Sequence, residues 1–170
     1  MLRAYVDTNV IVARYKPGDP LHESADRLFG LPEATFYVSP LTLVELYSAF
    51  SRVEIESTLP ELNLHALVAF CLKDCKLELI SKSHLLRAKV AEREFKAPLE
   101  YCLAVKLAEQ LRLRALDLLH VTYALLLKKA KLADVLITGD EEILEKGDLI
   151  SAATGVRVRH PKELNSELSV

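Results

Sequence analysis

The 170-residue chain is poor in several residue types, with three cysteines, one methionine, one glutamine and three asparagines. So little amide and sulfur chemistry points to a heat-adapted source. The three cysteines, Cys71, Cys75 and Cys102, are odd in number and sit in apolar, helix-like sequence. Cys71 and Cys75 could share a helix face, but no second pair or nearby histidine completes a zinc set. Buried free thiols in a reducing compartment are therefore expected. No apolar run approaches the roughly 18 residues that a bilayer span requires, and the N-terminus shows no apolar signal region with a small-residue cleavage pattern. A cytoplasmic protein without a membrane segment is the expectation. Also missing are the Walker-type phosphate loop, Gly-x-Gly-x-x-Gly, Gly-x-Ser-x-Gly and His-Glu-x-x-His, which removes the commonest nucleotide, hydrolase and zinc-protease templates.

What is present fits an ordinary globular chain, 51% apolar and 27% charged, long enough to bury a substantial core as one domain over residues 1–170. The net charge of −2 hides a segregation, because residues 73–131 hold 13 basic and 7 acidic side chains while both flanks are acidic. That middle third could face an anionic partner such as a nucleic acid backbone.

Apolar and helical patterns alternate along the chain. Strands are expected at Leu2 to Val6, Thr35 to Ser39, Leu77 to Ile80, Asp134 to Thr138 and Val156 to Arg159. Helices are expected at His22 to Phe29, Pro40 to Arg52, Leu62 to Lys73, Ser83 to Phe95, Pro98 to Leu111, Asp117 to Lys129 and Glu141 to Lys146, with a last turn after Pro161. A polar, acidic stretch from Glu54 to Glu61 separates two of them. Ser39-Pro40 is a good helix start, with serine as N-cap and proline at the first helical position. Strands alternating with helices imply an α/β fold, a parallel sheet with helices on both faces.

Four carboxylates stand in unusual company. Asp7 ends the first strand and is the only charge between Arg3 and Arg14. Glu45 is the only charged residue between Glu33 and Arg52, and Asp117 the only one between Arg114 and Lys128. Asp140 follows a buried strand in Thr138-Gly139-Asp140. Each has an ordinary reading, Asp7, Asp117 and Asp140 as helix caps and Glu45 on an exposed stripe. Together they converge on one sheet edge, where parallel strands present their C-terminal ends. Carboxylates crowded there repel one another unless a cation neutralises them, and hard oxygen ligands suit Mg²⁺ or Mn²⁺. Such a site supports phosphoryl chemistry through one metal ion or two. Thr8, Asn9 and Thr138 supply short hydrogen-bonding side chains to orient the acids. His120, three residues after Asp117, shares its helix face and is expected to pack beside the site.

The set Asp7-Thr8-Asn9, Val44-Glu45-Leu46, Asp117-Leu118-Leu119-His120 and Thr138-Gly139-Asp140 resembles the PIN domain family, and more narrowly its VapC-type toxin ribonucleases. The resemblance implies a three-layer α/β/α sandwich around a parallel sheet of four or five strands. It implies a Mg²⁺- or Mn²⁺-dependent endoribonuclease with Asp7, Glu45, Asp117 and Asp140 as metal ligands and catalytic residues. Glu45 would bind a second ion or orient the attacking water, and Thr138 would hydrogen-bond to the acids. The implied partners are an RNA substrate, a small antitoxin protein and a second copy in a homodimer. Glu141 departs from the pattern, being acidic where many relatives carry a basic residue. Two alternatives stay open, a PIN-like module that binds RNA or protein without cutting and an RNA-processing nuclease outside any toxin–antitoxin pair. A haloacid dehalogenase-type phosphatase fits less well, because that chemistry needs a second aspartate where Asn9 stands.

Overall fold

The computed structural model describes residues 1–52, 63–80 and 84–167. Along the chain run β1 (Leu2–Val6), α1 (Thr8–Arg14), α2 (His22–Phe29), β2 (Ala34–Val38), α3 (Pro40–Ser51), α4 (Leu64–Asp74) and β3 (Leu77–Leu79). They are followed by β4 (Leu85–Val90), β5 (Arg93–Pro98), α5 (Leu99–Leu111), α6 (Ala115–Lys129) and β6 (Val135–Ile137). The last elements are α7 (Glu141–Glu145), α8 (Gly147–Thr154), β7 (Arg157–Arg159) and α9 (Pro161–Glu167).

Five strands form a sheet in the order β3-β2-β1-β6-β7, with every neighbouring pair parallel. The central strands alternate between two cores, as a sheet covered on both faces requires. Ala4, Val6, Phe36, Val38, Val135 and Ile137 join one apolar cluster with Val10, Ile11, Leu28, Leu46, Phe50 and Val68, from α1 to α4. Tyr5, Tyr37, Leu136 and Val158 join the other, with Leu111, Val121, Leu127, Ile143 and Ile150, from α5 to α8. The expected α/β/α sandwich is thus formed. Among the described residues no helix is long and apolar enough to cross a membrane.

Most of the expected elements form, with ends displaced by a residue or two. The helix expected from Ser83 to Phe95 does not. Ser83 lies outside the described residues, and the rest folds as an antiparallel hairpin, β4 with β5, separate from the main sheet. Leucine and alanine made the stretch look helical, whereas Arg87-Ala88-Lys89 alternates with a period of two, and Ala91 turns the chain at φ 52°. The helix α8 is an element that composition did not single out. The acidic break Glu54 to Glu61, and Leu62 at the expected start of α4, lie outside the described residues. The cysteines are free, with Cys71 and Cys75 buried and Cys102 half-buried. Burial pushes the Cys71 thiol up to about 11, which leaves it protonated and apolar in behaviour.

The start of α3 is built as its sequence suggests, and more firmly. The Ser39 hydroxyl accepts from the Thr42 backbone N–H at 3.4 Å, and the Thr42 hydroxyl accepts from the Ser39 N–H at 3.3 Å. This reciprocal cap is wholly buried, and the Tyr5 hydroxyl joins it, 2.8 Å from Ser39 Oγ. Replacing Ser39 by alanine removes a cap and leaves Tyr5 short of a partner, so Ser39→Ala should cost about 1–2 kcal/mol. In a chain of this size that lowers the melting temperature by about 2–8 °C. Ser48→Ala, exposed on the same helix, should leave it unchanged or slightly higher. Equal thermal melts for the two variants would overturn this account.

Candidate metal centre at the sheet switch point

The chain leaves β1 toward β2 and β3 on one side, and leaves β6 toward β7 on the other. The order therefore reverses between β1 and β6, and the crevice beyond their C-terminal ends is where open α/β sheets place their sites. Asp7 follows β1, and Thr138-Gly139-Asp140 follows β6. A backbone bond from Asp7 N–H to the Ile137 carbonyl, 2.9 Å, ties the two strand ends together.

Asp7 is 5% exposed and stands at the N-cap position of α1, yet its carboxylate caps nothing. Its Oδ2 accepts instead from Thr138 Oγ1 at 2.7 Å and from Asn9 Nδ2 at 3.0 Å. Asn9 also accepts from the Gly139 backbone N–H at 3.1 Å. A Cβ at Gly139 would displace the tip of the Leu21 side chain. The Thr138 hydroxyl accepts from the Asp140 N–H at 3.0 Å. Asp140 does cap its helix, Oδ1 accepting from the Ile143 N–H at 3.0 Å. For Asp140 the ordinary reading is therefore realised, without consuming the second carboxylate oxygen.

Glu45 reaches the same crevice from the middle of α3. Its Oε2 accepts from the Thr8 hydroxyl and from His120 Nε2, the latter at 2.8 Å. His120 Nε2 also lies 3.5 Å from Asp7 Oδ1. The other ring nitrogen, Nδ1, is 2.8 Å from the Tyr5 hydroxyl. Asp7, Glu45 and His120 present ligand-type atoms within 4.8 Å of one another, the one such group of three among the described residues. His120 is thus more central than its spacing from Asp117 suggests. It is 2% exposed and joins two acids to the Tyr5–Ser39–Thr42 network.

Asp117 lies in the first turn of α6, whose N-cap is Arg114, so it is not the cap that its position suggests. Its Oδ2 is buried with no hydrogen-bond partner. Burial first, and then the charges of Asp140 and Asp7, raise the Asp117 carboxyl above its ordinary range against His120 and Arg114. Glu45 moves the other way. Burial would raise it, but the hydrogen bond and charge of His120 and the Thr8 hydroxyl hold it below the ordinary value. Burial opposes charging of His120, yet the charge of Asp7, the bond and charge of Glu45 and the charge of Asp117 raise it overall. Burial raises the Tyr5 phenol far out of the physiological range, reinforced by the charges of Asp7 and Glu45. Its hydroxyl keeps the proton.

Of the acids read from the sequence, Asp7 and Glu45 come together with His120. Asp117 and Asp140 lie outside that close group, Asp117 coupled to Asp140 and Asp7 through their charges and Asp140 engaged as the cap of α7. Sequence reasoning missed Tyr5 and Thr42, because a tyrosine in an apolar strand and a threonine in a helix look like ordinary packing. The residues fit a divalent cation. An orphaned buried carboxylate oxygen beside like charges is a defect that a cation repairs. Asp7 Oδ2, Glu45 Oε2 and Asp140 Oδ1 are each held by the protein, which restrains these carboxylates as ligands are restrained, with Asp7 Oδ1 also 3.5 Å from His120 Nε2.

The sequence matches the family described as PIN domain over residues 4–149. Among solved structures, VapBC2 from Rickettsia felis, bound to a DNA fragment from its promoter, is similar with a TM-score of 0.55 and 15% identity. The likeness covers 94% of this chain and 98% of the other, and at that identity it speaks to the fold. No curated protein matches the sequence.

If Asp117 is strained by its neighbours, Asp117→Asn should raise the melting temperature in chelator by about 2 °C or less, solvent screening limiting the gain. Millimolar Mg²⁺ or Mn²⁺ should raise the melting temperature of the unsubstituted protein and that of Asp117→Asn by less. A variant that melts lower in chelator and gains as much from metal would show that Asp117 neither suffers repulsion nor binds the cation.

Proposed function

We propose, from the premise that this chain belongs to the PIN domain family, that it is a divalent-metal-dependent endoribonuclease and the toxin half of a toxin–antitoxin pair. PIN domains are generally nucleases, and the endoribonuclease reading narrows that to RNA. One observation carries it: Asp7, Glu45 and His120 within 4.8 Å of one another at the sheet switch point, beside the unpartnered Asp117 Oδ2. The likeness to VapBC2 supports a small antitoxin protein as partner. A homodimer and an RNA substrate belong to the same reading.

In this mechanism Asp7, Asp117 and Asp140 would hold Mg²⁺ or Mn²⁺, and Glu45 would hold a second ion or orient the attacking water. A cation so held lowers the pKa of water and offsets negative charge developing on the phosphate. Thr138 and Asn9 fix the Asp7 carboxylate by donating to one oxygen, so it does not rotate when substrate arrives. Thr8 and His120 do the same for Glu45. The Tyr5 hydroxyl holds the His120 ring from the far side. His120 is thereby a positioning residue, buried and tied at both nitrogens. A cavity lined by Asn9, Leu21, Arg114, Gly139 and Asp140 opens beside Asp140.

The test is cleavage of a structured RNA by purified protein with Mg²⁺, with Mn²⁺ and with chelator. Cutting should require metal, and Asp7→Asn should lower the rate by about a thousandfold, the size of effect expected when several kcal/mol of metal-derived stabilisation are lost. The variant should keep a cooperative thermal melt, so that the loss is not one of folding. Undiminished cleavage by a folded Asp7→Asn protein would overturn the assignment. Binding without cutting, once mass measurement has excluded a bound antitoxin, would favour the non-cleaving module.

A further inference from the structure

The β4–β5 hairpin is sorted by its register. Residues directly opposed across antiparallel strands share a face, and successive residues alternate. Leu85 opposes Pro98, Arg87 opposes Lys96 and Lys89 opposes Glu94 on one face. Leu86 opposes Ala97, Ala88 opposes Phe95 and Val90 opposes Arg93 on the other. Ala88 and Ala97 are half-buried while Leu86 and Phe95 stay 42% and 45% exposed, and both strands contact α5, so this face is covered in part. Arg87, Lys89, Glu94 and Lys96 are all exposed on the outward face.

That outward face is three cations to one anion in a chain whose net charge is −2. Arg14, Arg114, Lys146 and Arg157 each have a carboxylate within ion-pair distance. Among the described residues Arg87, Lys89 and Lys96 have none. Arg87 and Lys96 stand directly opposite each other, a pairing of like charges that weakens a two-stranded hairpin. Among the described residues the hairpin has no third strand and is supported by α5. Lys89 is offset by Glu94 across the hairpin, whereas the Arg87–Lys96 repulsion is one that an external anion would remove. Arg87 and Lys89 recur along the strand at about 6.8 Å. A regular row of cations suits a regular row of phosphates better than a single anion, and arginine adds paired hydrogen bonds to phosphate oxygens.

We propose that the outward face of the β4–β5 hairpin, through Arg87, Lys89 and Lys96, binds the phosphodiester backbone of RNA. This rests on the ribonuclease reading above and names residues that grip the substrate apart from the acids. Phosphate contacts give affinity without base choice, so the hairpin holds RNA regardless of sequence, and Glu94 opposes that hold.

The experiment is fluorescence anisotropy of a labelled single-stranded RNA in chelator, where no cutting occurs, over a range of salt. Compared are the unsubstituted protein, the triple variant Arg87→Ala, Lys89→Ala, Lys96→Ala, and Glu94→Lys. The triple variant should bind about tenfold or more weakly. Its plot of log affinity against log salt should be shallower by about two, three lost phosphate contacts at roughly 0.7 each. Glu94→Lys should bind several-fold tighter, an outcome that misfolding cannot imitate. Equal affinity and salt slope for the triple variant overturns the proposal. A change in molecular mass by light scattering with unchanged RNA affinity also overturns it, by making the face a contact between protein chains. Metal-dependent cleavage of the same RNA keeps the two readings apart. If the triple variant cuts with a raised KM and unchanged kcat, both stand. If neither protein cuts while the affinities separate as described, the hairpin stands and the ribonuclease reading falls.

Discussion

Like charges brought together in a partly buried crevice repel one another, and that repulsion sets the terms for the rest of this structure. The parallel sheet delivers Asp7 and Asp140 to the same edge because β1 and β6 are neighbours running the same way. The helices α3 and α6 bring Glu45 and Asp117 over that edge. Such an arrangement persists only if other parts of the fold over-determine it. Here the two cores, one on each face of the sheet, fix the strand ends. Thr138, Asn9, Thr8 and His120 then fix individual carboxylate oxygens. Asp117 is the acid left without such support, and it carries the strain as an orphaned oxygen and a raised carboxyl.

The polar network behind the acids shows how a buried strand can serve a site. Tyr5 points into the core that faces α5 and α6, between residues whose side chains point the opposite way. Its hydroxyl meets Ser39, Thr42 and His120. The cap of α3, the strand β1 and the helix α6 therefore share one cluster of hydrogen bonds. A shift of α3 that moved Glu45 would have to disturb Ser39 and Thr42, which are wholly buried. Positioning of the acids and packing of the fold are in this way the same set of contacts.

Much of this was legible in the sequence. Asp7, Glu45 and Asp117 declared themselves by isolation in apolar surroundings, because a lone charge in such a run has to be paired, exposed or functional. The strands and most helices followed from apolar periodicity and from signals such as Ser39-Pro40. What could not be read depended on contacts between distant segments. Tyr5 and His120 are 115 residues apart, and nothing local marks either as the other's partner. Sequence spacing ties His120 to its neighbour Asp117, whereas its hydrogen bonds go to Glu45 and Tyr5. The hairpin is hidden in the sequence for a different reason. Its leucines and alanines favour a helix, and the alternation that favours a strand is short and largely charged.

The hairpin shares no backbone ladder with the five-stranded sheet, and its hydrogen bonds end at its own outer edges. Its amides can therefore exchange with solvent through local openings that leave β1 and β6 undisturbed, while those of β1 and β6 wait for the whole domain to open. The same independence bears on descent. Changes of charge on the exposed face of β4 and β5 reach the acid crevice indirectly, through α5 and α6, so selection can alter one with little rebuilding of the other.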